Sequence, residues 1–179
     1  MSRKLAVTTA LIAGFAICTL VALAMSARAT SADPQLDSEE QSFVTLINSY
    51  RAQNGLGPLS IDWEMQASSD WMSNDMGVKA YFSHTDSLGR DPWTRMCAFD
   101  YCNDTWMGEN IAAGYSTASD VFTAWKNSPG HNANMLNSNY IAMGISRTYV
   151  VGSPFGWYWT NDFGGVRSNS PAGSGGGPG

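Results

Sequence analysis

Apolar positions along the chain recur at helical spacing through its first two thirds and then switch to a period of two. Phe43, Leu46, Ile47 and Tyr50 follow the capping-box string Ser38-Glu39-Glu40-Gln41. They predict an amphipathic surface helix that ends near Asn54-Gly55, ahead of the Gly57-Pro58 turn. From Ser60 to Met76 a second helix is expected, with Trp63, Ala67 and Trp71 on one side and Met65, Met72 and Met76 roughly opposite. Two apolar faces imply packing on both sides, and the Met and Trp content reads as core filling rather than a cofactor box. The stretch from Gly77 to Asn110 has no sustained period and reads as loop, with one short helix after Asp91-Pro92. A second capping box, Thr117-Ala118-Ser119-Asp120, opens a helix with Ala118, Val121, Phe122 and Trp125 on one face. Ser128-Pro129-Gly130 stops it, and a short helix from His131 to Leu136 follows. Ile141, Met143 and Ile145 then alternate with small or polar residues, as do Trp157, Trp159 and Asn161 with Tyr158 and Thr160. Gly152 to Gly156 joins these runs as a hairpin. Helices first and a hairpin last predict an α+β domain whose helices cover an antiparallel sheet.

The two ends change the picture. Arg3 and Lys4 precede an apolar run from Leu5 to Ala24, and Ala27-Arg28-Ala29 offers an A-x-A cleavage site. Residues 1–29 therefore read as an export signal, an uncleaved anchor being the competing reading, and residues 30–37 as a linker to a domain over 38–166. The Gly-, Ser- and Pro-rich stretch 167–179 reads as a disordered tail, because such a composition cannot offset the entropy of ordering. Removing the signal takes away Arg3, Lys4 and Arg28, so ten basic residues become seven against fifteen acidic ones, a net charge of −8. Nucleic acid is excluded as a partner, since binding phosphates needs a basic stripe. With Cys18 gone, Cys97 and Cys102 remain, and an exported compartment favours their pairing in one disulfide. So short a loop contributes about 2 kcal/mol at most.

His84 and His131 are the chain's two histidines. His84 lies in the polar run Phe82-Ser83-His84-Thr85-Asp86, and His131 follows the Ser-Pro-Gly break, so neither sits on an apolar stripe. Glu109 lies between Gly108 and Asn110, in a segment that reads as partly buried, where an acid needs a partner. Two imidazoles and one carboxylate are a normal zinc donor set that leaves a position for water. The alternatives are a buried histidine satisfied by backbone and a structural acceptor role for the glutamate. No G-x-S-x-G elbow or H-E-x-x-H helix is present.

Four strings, FSHTDSLGRDPWTRM at 82–96, GENIAAGY at 108–115, AWKNSPGHNANML at 124–136 and YWTNDFG at 158–164, together resemble the CAP superfamily. These are the cysteine-rich secretory, antigen 5 and pathogenesis-related proteins, here in their short bacterial form. The resemblance implies a three-layer α-β-α sandwich with a small, mainly antiparallel sheet. It also implies a central cleft lined by two histidines and two acidic residues, to which His84, Glu109 and His131 correspond. These three are the expected metal ligands, with Ser83, Asn110, Ser128 and Asn134 as cleft support and Asp162 as a further candidate. Where many eukaryotic members carry a second acid three residues after the helix tryptophan, this chain has Ser128 after Trp125. Asp120 is close by but reads as a helix cap. The expected function is a secreted, monomeric binding module with a divalent, zinc-like ion and an extracellular lipid or protein ligand. A metal-assisted hydrolase and a sterol or lipid carrier are the alternatives. After signal removal no stable membrane insertion is expected.

Overall fold

The computed structural model describes residues 35–168. The export signal and most of the proposed tail lie outside the described residues.

Asp37 caps α1 (Ser38–Gln53), accepting from the backbone N–H groups of Glu39 and Glu40 while Glu40 reaches back to the Asp37 N–H. The capping box thus begins one residue earlier than the Ser38 of the sequence reading, because Asp37 also bears a short acceptor side chain. The helix ends with Asn54 at its C-cap, as expected, and Gly55 in the left-handed region (φ 75°). The next element is shorter than expected. Ser60 and Ile61 form a strand, β1, and the helix starts after Asp62, giving α2 (Trp63–Val78). Asp62 explains the shift, since its carboxylate accepts from Glu64 and Met65 N–H groups. The short helix α3 (Pro92–Ala98) has Asp91 as its cap and proline at its start. β2 (Met107–Ala113) follows. Helices α4 (Ala118–Lys126) and α5 (Pro129–Met135) precede the hairpin β3 (Ala142–Tyr149) and β4 (Trp157–Gly164).

The sheet has the order β1-β3-β4-β2, antiparallel except that β1 runs parallel to β3. Helices cover both faces, which completes the α-β-α sandwich. One face packs on α1 and α4 through Phe43, Ile47, Val121, Trp125, Met143, Ile145, Trp159 and Phe163. The other packs on α2 through Met65, Ala142, Met72, Met76 and Tyr158. On α2 the methionine face is fully buried, whereas Trp63, Ala67 and Trp71 are half-buried. Arg90 lies over the Trp71 ring, 4.5 Å from its centroid. Ile141, read as the first inward residue of β3, is instead exposed and precedes the strand.

Residues 142, 144 and 146 of β3 face α2, and they are small: Ala142, Gly144 and Ser146. A Cβ built on Gly144 would stand 2.4 Å from the Met65 carbonyl. The α2 backbone therefore touches the sheet directly. Gln66 fastens this contact, donating to the Ile145 carbonyl (2.7 Å) and accepting from the Ile145 N–H (2.9 Å). Arg51 does the same on the opposite face. Its buried guanidinium reaches the carbonyls of Gly57, Met135, Asn137 and Tyr140, tying α1 to the segment after α5.

The outer edge of β2 is closed by side chains. The carbonyls of Met107, Glu109 and Ile111, two residues apart and so on one edge, accept from Tyr140 Oη, Asn134 Nδ2 and Trp125 Nε1. An edge strand normally leaves such groups free to template another strand. Here α4, α5 and the turn before β3 supply the partners, and the two helices are thereby fixed against the edge. Among the described residues no helix is long and apolar enough to cross a membrane.

Gly144→Ala should lower stability by about 1–3 kcal/mol, because neither backbone can retreat without strain. Chemical denaturation checks this, and a wild-type midpoint would show that α2 is not held against the sheet as described.

Candidate functional site

The site sits at the β2 edge and is built from both faces of the sheet. Successive strand residues point to opposite sides, so the Gly108-Glu109-Asn110 string sends Glu109 toward α3 and Asn110 toward α5. The lack of a sustained period predicts a loop for this segment. It is a strand with Glu109 register-paired to Asp162 on β4, both buried. Its period of two is hidden because Gly108, Ala112 and Ala113 carry too little side chain to show it.

Glu109 is the centre of the arrangement. Its Oε1 lies 2.6 Å from His84 Nδ1, while Oε2 accepts from the buried Arg95 guanidinium. Half of the His84 side chain is exposed, against 1% of the Glu109 side chain. The imidazole therefore stands at the surface with a carboxylate behind it. A carboxylate on Nδ1 fixes the ring's orientation and leaves Nε2 directed elsewhere.

Arg95 escaped the sequence reading, although it lies inside one of the quoted strings. It is fully buried, donating through Nη1 to the His84 carbonyl (3.2 Å) and lying 3.8 Å from Asp162 Oδ1 through Nη2. One guanidinium thus holds the His84 loop, the Glu109 carboxylate and, more loosely, Asp162. A usable signal existed: Arg95 falls three residues after Pro92 and just before Met96, on the inward side of α3. An arginine on an inward helical face requires carboxylates or carbonyls across from it.

On the other side, His131 lies on α5. Asn110 Nδ2 donates to the His131 carbonyl (3.0 Å), and Asn134 donates to the Glu109 carbonyl and to Asn110 Oδ1 (2.9 Å). The two asparagines join α5 to the strand that carries Glu109. The His131 ring lies 6.2 Å from that of Trp125. Burial, and then the charge of His84, lower its pKa below the ordinary imidazole value. The loop after α2 and helix α5 thus bring both histidines to the β2 edge, where the charge of His84 is felt at His131.

Ser83 turns away from the cleft chemistry, accepting from the Thr85 N–H (3.1 Å). Ser128 begins α5 without a side-chain cap bond and lines an apolar hollow of about 380 Å³ with Phe82, Ile111, Tyr115, Phe155 and His131. A second hollow, about 480 Å³, is lined by His84, Trp93, Met107, Glu109 and Asn134. The two histidines line neighbouring hollows rather than one. Thr117 caps α4, and its Oγ1 donates to Asp120 in the first turn, so Asp120 belongs to the cap. Cys97 and Cys102 are disulfide-bonded, as expected.

The sequence predicts a metal held by His84, Glu109 and His131 together. Among the described residues no group of three or more His, Cys, Asp and Glu side chains has a metal-holding arrangement. Both Glu109 oxygens are committed to His84 and Arg95. His84 Nε2 and the His131 ring make no hydrogen bond among the described residues, which leaves both imidazoles with a free donor atom. The carboxylate fits the role of the acceptor that orients a ligating histidine.

Asp162 supplies a second acid, though behind the cleft and not at position 128. Burial first, then the charge of Glu109, push its carboxyl up to about 7 against the opposing pull of Arg95. The folded protein therefore keeps a proton that the unfolded chain releases near pH 4. Its contribution to stability falls as pH rises from about 4 to about 7 and is constant above. Relative to Asp162→Asn, the wild-type melting temperature should drop between pH 5 and pH 7.5. Parallel melting profiles for the two proteins would mean that the carboxyl is ionised throughout.

Residues 44–163 match the family model described as CAP, the cysteine-rich secretory protein family. YkwD, an uncharacterized protein of Bacillus subtilis, is 38% identical over 134 residues, which is 75% of this chain and 50% of that protein. The chain thus spans about half the length of that relative. Among solved structures, an extracellular protein of Bacillus anthracis containing an SCP domain superposes with a TM-score of 0.62 at 27% identity. That match covers 73% of this chain and 40% of the other. An outer surface protein of Borrelia burgdorferi gives a TM-score of 0.65 at 21% identity, over 75% of this chain and 97% of its own. With the family model spanning most of the folded domain and the sandwich shared with these structures, the chain belongs to the CAP family of cysteine-rich secretory proteins.

Proposed function

We propose that this chain is an exported binding module whose cleft at the β2 edge holds a divalent cation between the imidazoles of His84 and His131. The observation that carries the reading is the His84 Nδ1–Glu109 Oε1 contact of 2.6 Å, backed by Arg95. A buried carboxylate on one ring nitrogen sets the tautomer that offers the other nitrogen as a donor. Glu109 then orients rather than ligates, and Arg95 neutralises the carboxylate that the fold has taken out of water. The depressed pKa of His131 supports the same assignment, since a ligating imidazole must be neutral. A bound zinc-like ion would supply a Lewis acid with positions left for a ligand or water. Export is supported by the amino-terminal sequence pattern and by the extracellular and outer-surface relatives.

The hollow beside His131 supports a ligand with an apolar portion, whether a lipid or an apolar side chain. Its walls are aromatic and aliphatic, with Ser128 and His131 as the polar groups. Hydrolysis assisted by the ion is the alternative reading. It requires chelator-sensitive turnover that disappears in Glu109→Gln, whereas the binding module requires no turnover.

Calorimetric titration of the mature protein with zinc at pH 7.5 should give one ion per chain. His84→Ala and His131→Ala should each abolish the heat, and Glu109→Gln should weaken binding by about 10- to 100-fold, as for loss of an orienting partner. Because burial holds the His131 pKa below the ordinary imidazole value, uptake should persist below neutrality and be lost on further acidification as that ring takes up a proton. Absence of heat in the wild type, or undiminished heat in the two alanine variants, would reject the site. Complete loss in Glu109→Gln would make the carboxylate a direct ligand instead.

A further inference from the structure

Beyond the histidine cleft, two tryptophans are left unusually open. Trp93 is 47% exposed and Trp106 is 63% exposed, and neither ring packs against another aromatic among the described residues. An indole face in water forfeits much of the stabilisation that its burial would bring. Both rings line one hollow of about 560 Å³, together with Asp104, Thr105 and Met107.

The backbone that carries each ring is anchored. Trp93 occupies the first turn of α3, behind Pro92 and the Asp91 cap, whose carboxylate accepts from the Thr94 N–H (2.7 Å). Trp106 lies just before β2, and its carbonyl accepts from the Gly165 N–H (2.9 Å). Gly165 permits that approach, because a Cβ there would meet Thr105 Oγ1 at 2.5 Å. The Cys97–Cys102 disulfide ties α3, with Trp93, to the segment leading to Trp106. Covalent and backbone constraints thus set where the Trp93 and Trp106 side chains start, on the wall of one hollow.

Charge selects the occupant. Asp104 is the one charged residue lining the hollow, no lysine or arginine joins it, and the whole chain carries a formal charge of −5. Anionic ligands are disfavoured. A compact organic cation meets both features, because an indole face attracts positive charge and a carboxylate pairs with it. Quaternary ammonium suits the hollow better than a primary ammonium, since it is weakly hydrated and presents methyl groups to the rings. We propose that Trp93, Trp106 and Asp104 form a subsite for a quaternary-ammonium group of the choline type. The subsite shares Trp93 and Met107 with the hollow of His84 and Glu109, so a ligand held by its cation would extend toward the cleft. The subsite does not depend on a metal.

The test is titration of the mature protein with choline chloride up to about 100 mM, a range suited to weak cation–π binding. It is followed through the indole N–H signals in nuclear magnetic resonance. The signals that vanish in Trp93→Phe and Trp106→Phe identify the two rings. Choline should move both signals, and Asp104→Asn should weaken binding by about tenfold through loss of the ion pair. His84→Ala should leave binding unchanged, which separates this proposal from the metal site. The uncharged carbon isostere 3,3-dimethylbutanol should bind at least about tenfold more weakly than choline. The idea is overturned if choline moves neither signal, if the isostere binds as well, or if a neutral oligosaccharide moves the signals where choline does not. All three residues are exposed, so the variants should keep the wild-type circular dichroism spectrum.

Discussion

The buried Arg95 guanidinium is the constraint on which the site depends. A charge taken out of water must be offset by partners, and this one finds Glu109, the His84 carbonyl and, at longer range, Asp162. Each partner comes from a different part of the chain: the loop after α2, β2 and β4. Pairing the charge therefore assembles three segments at one point. Such a network adds little net stability compared with an apolar core. Breaking it by removing one member costs about 3–5 kcal/mol, because the remaining charge is stranded. Its value lies in position, since the exposed imidazole of His84 inherits its orientation from groups that cannot move.

A second constraint comes from the β2 edge. Three carbonyls at 107, 109 and 111 would be open to any passing strand, and three side chains from α4, α5 and the turn before β3 occupy them. One of these bonds places Asn134 beside Glu109, and Asn110 on the same strand holds the His131 carbonyl. Protection from aggregation and construction of the cleft are thus one set of contacts. The close seat of α2 on Gly144 and Ser146 completes the frame, holding Asp162 and Ser69 in contact (3.0 Å) beneath the site.

Rigid elements end where ligands would begin. The cleft rim consists of the 82–86 loop, the start of α3, the segment before β2 and the α4–α5 junction, and several of its side chains are exposed aromatics. These loops are pinned at their bases by Asp75, which accepts from Tyr81 Oη and Ser87, by Asp86, which pairs with Arg90 (2.7 Å), and by the disulfide. A surface built in this way presents exposed aromatic side chains on anchored loops, which suits recognition without large backbone rearrangement.

Local signals in the sequence determined the helices, the hairpin, the disulfide and the identity of the two histidines. Capping residues, helical spacing, period-two alternation and Cys97 with Cys102 all act over a few neighbouring positions, so they can be read without knowing what packs where. The motif strings also located Glu109. Only the tertiary structure decided that Glu109 lies on a strand, that its carboxylate is shared between His84 and Arg95, and that Asp162 is its register partner. Those facts depend on pairing across 14 to 53 residues of chain, as from Arg95 or Asp162 to Glu109, and no local pattern encodes such a distance. Small residues made the difficulty worse. Gly108, Ala112 and Gly144 are chosen for what lies against them, so their meaning appears only once the opposing backbone is in place.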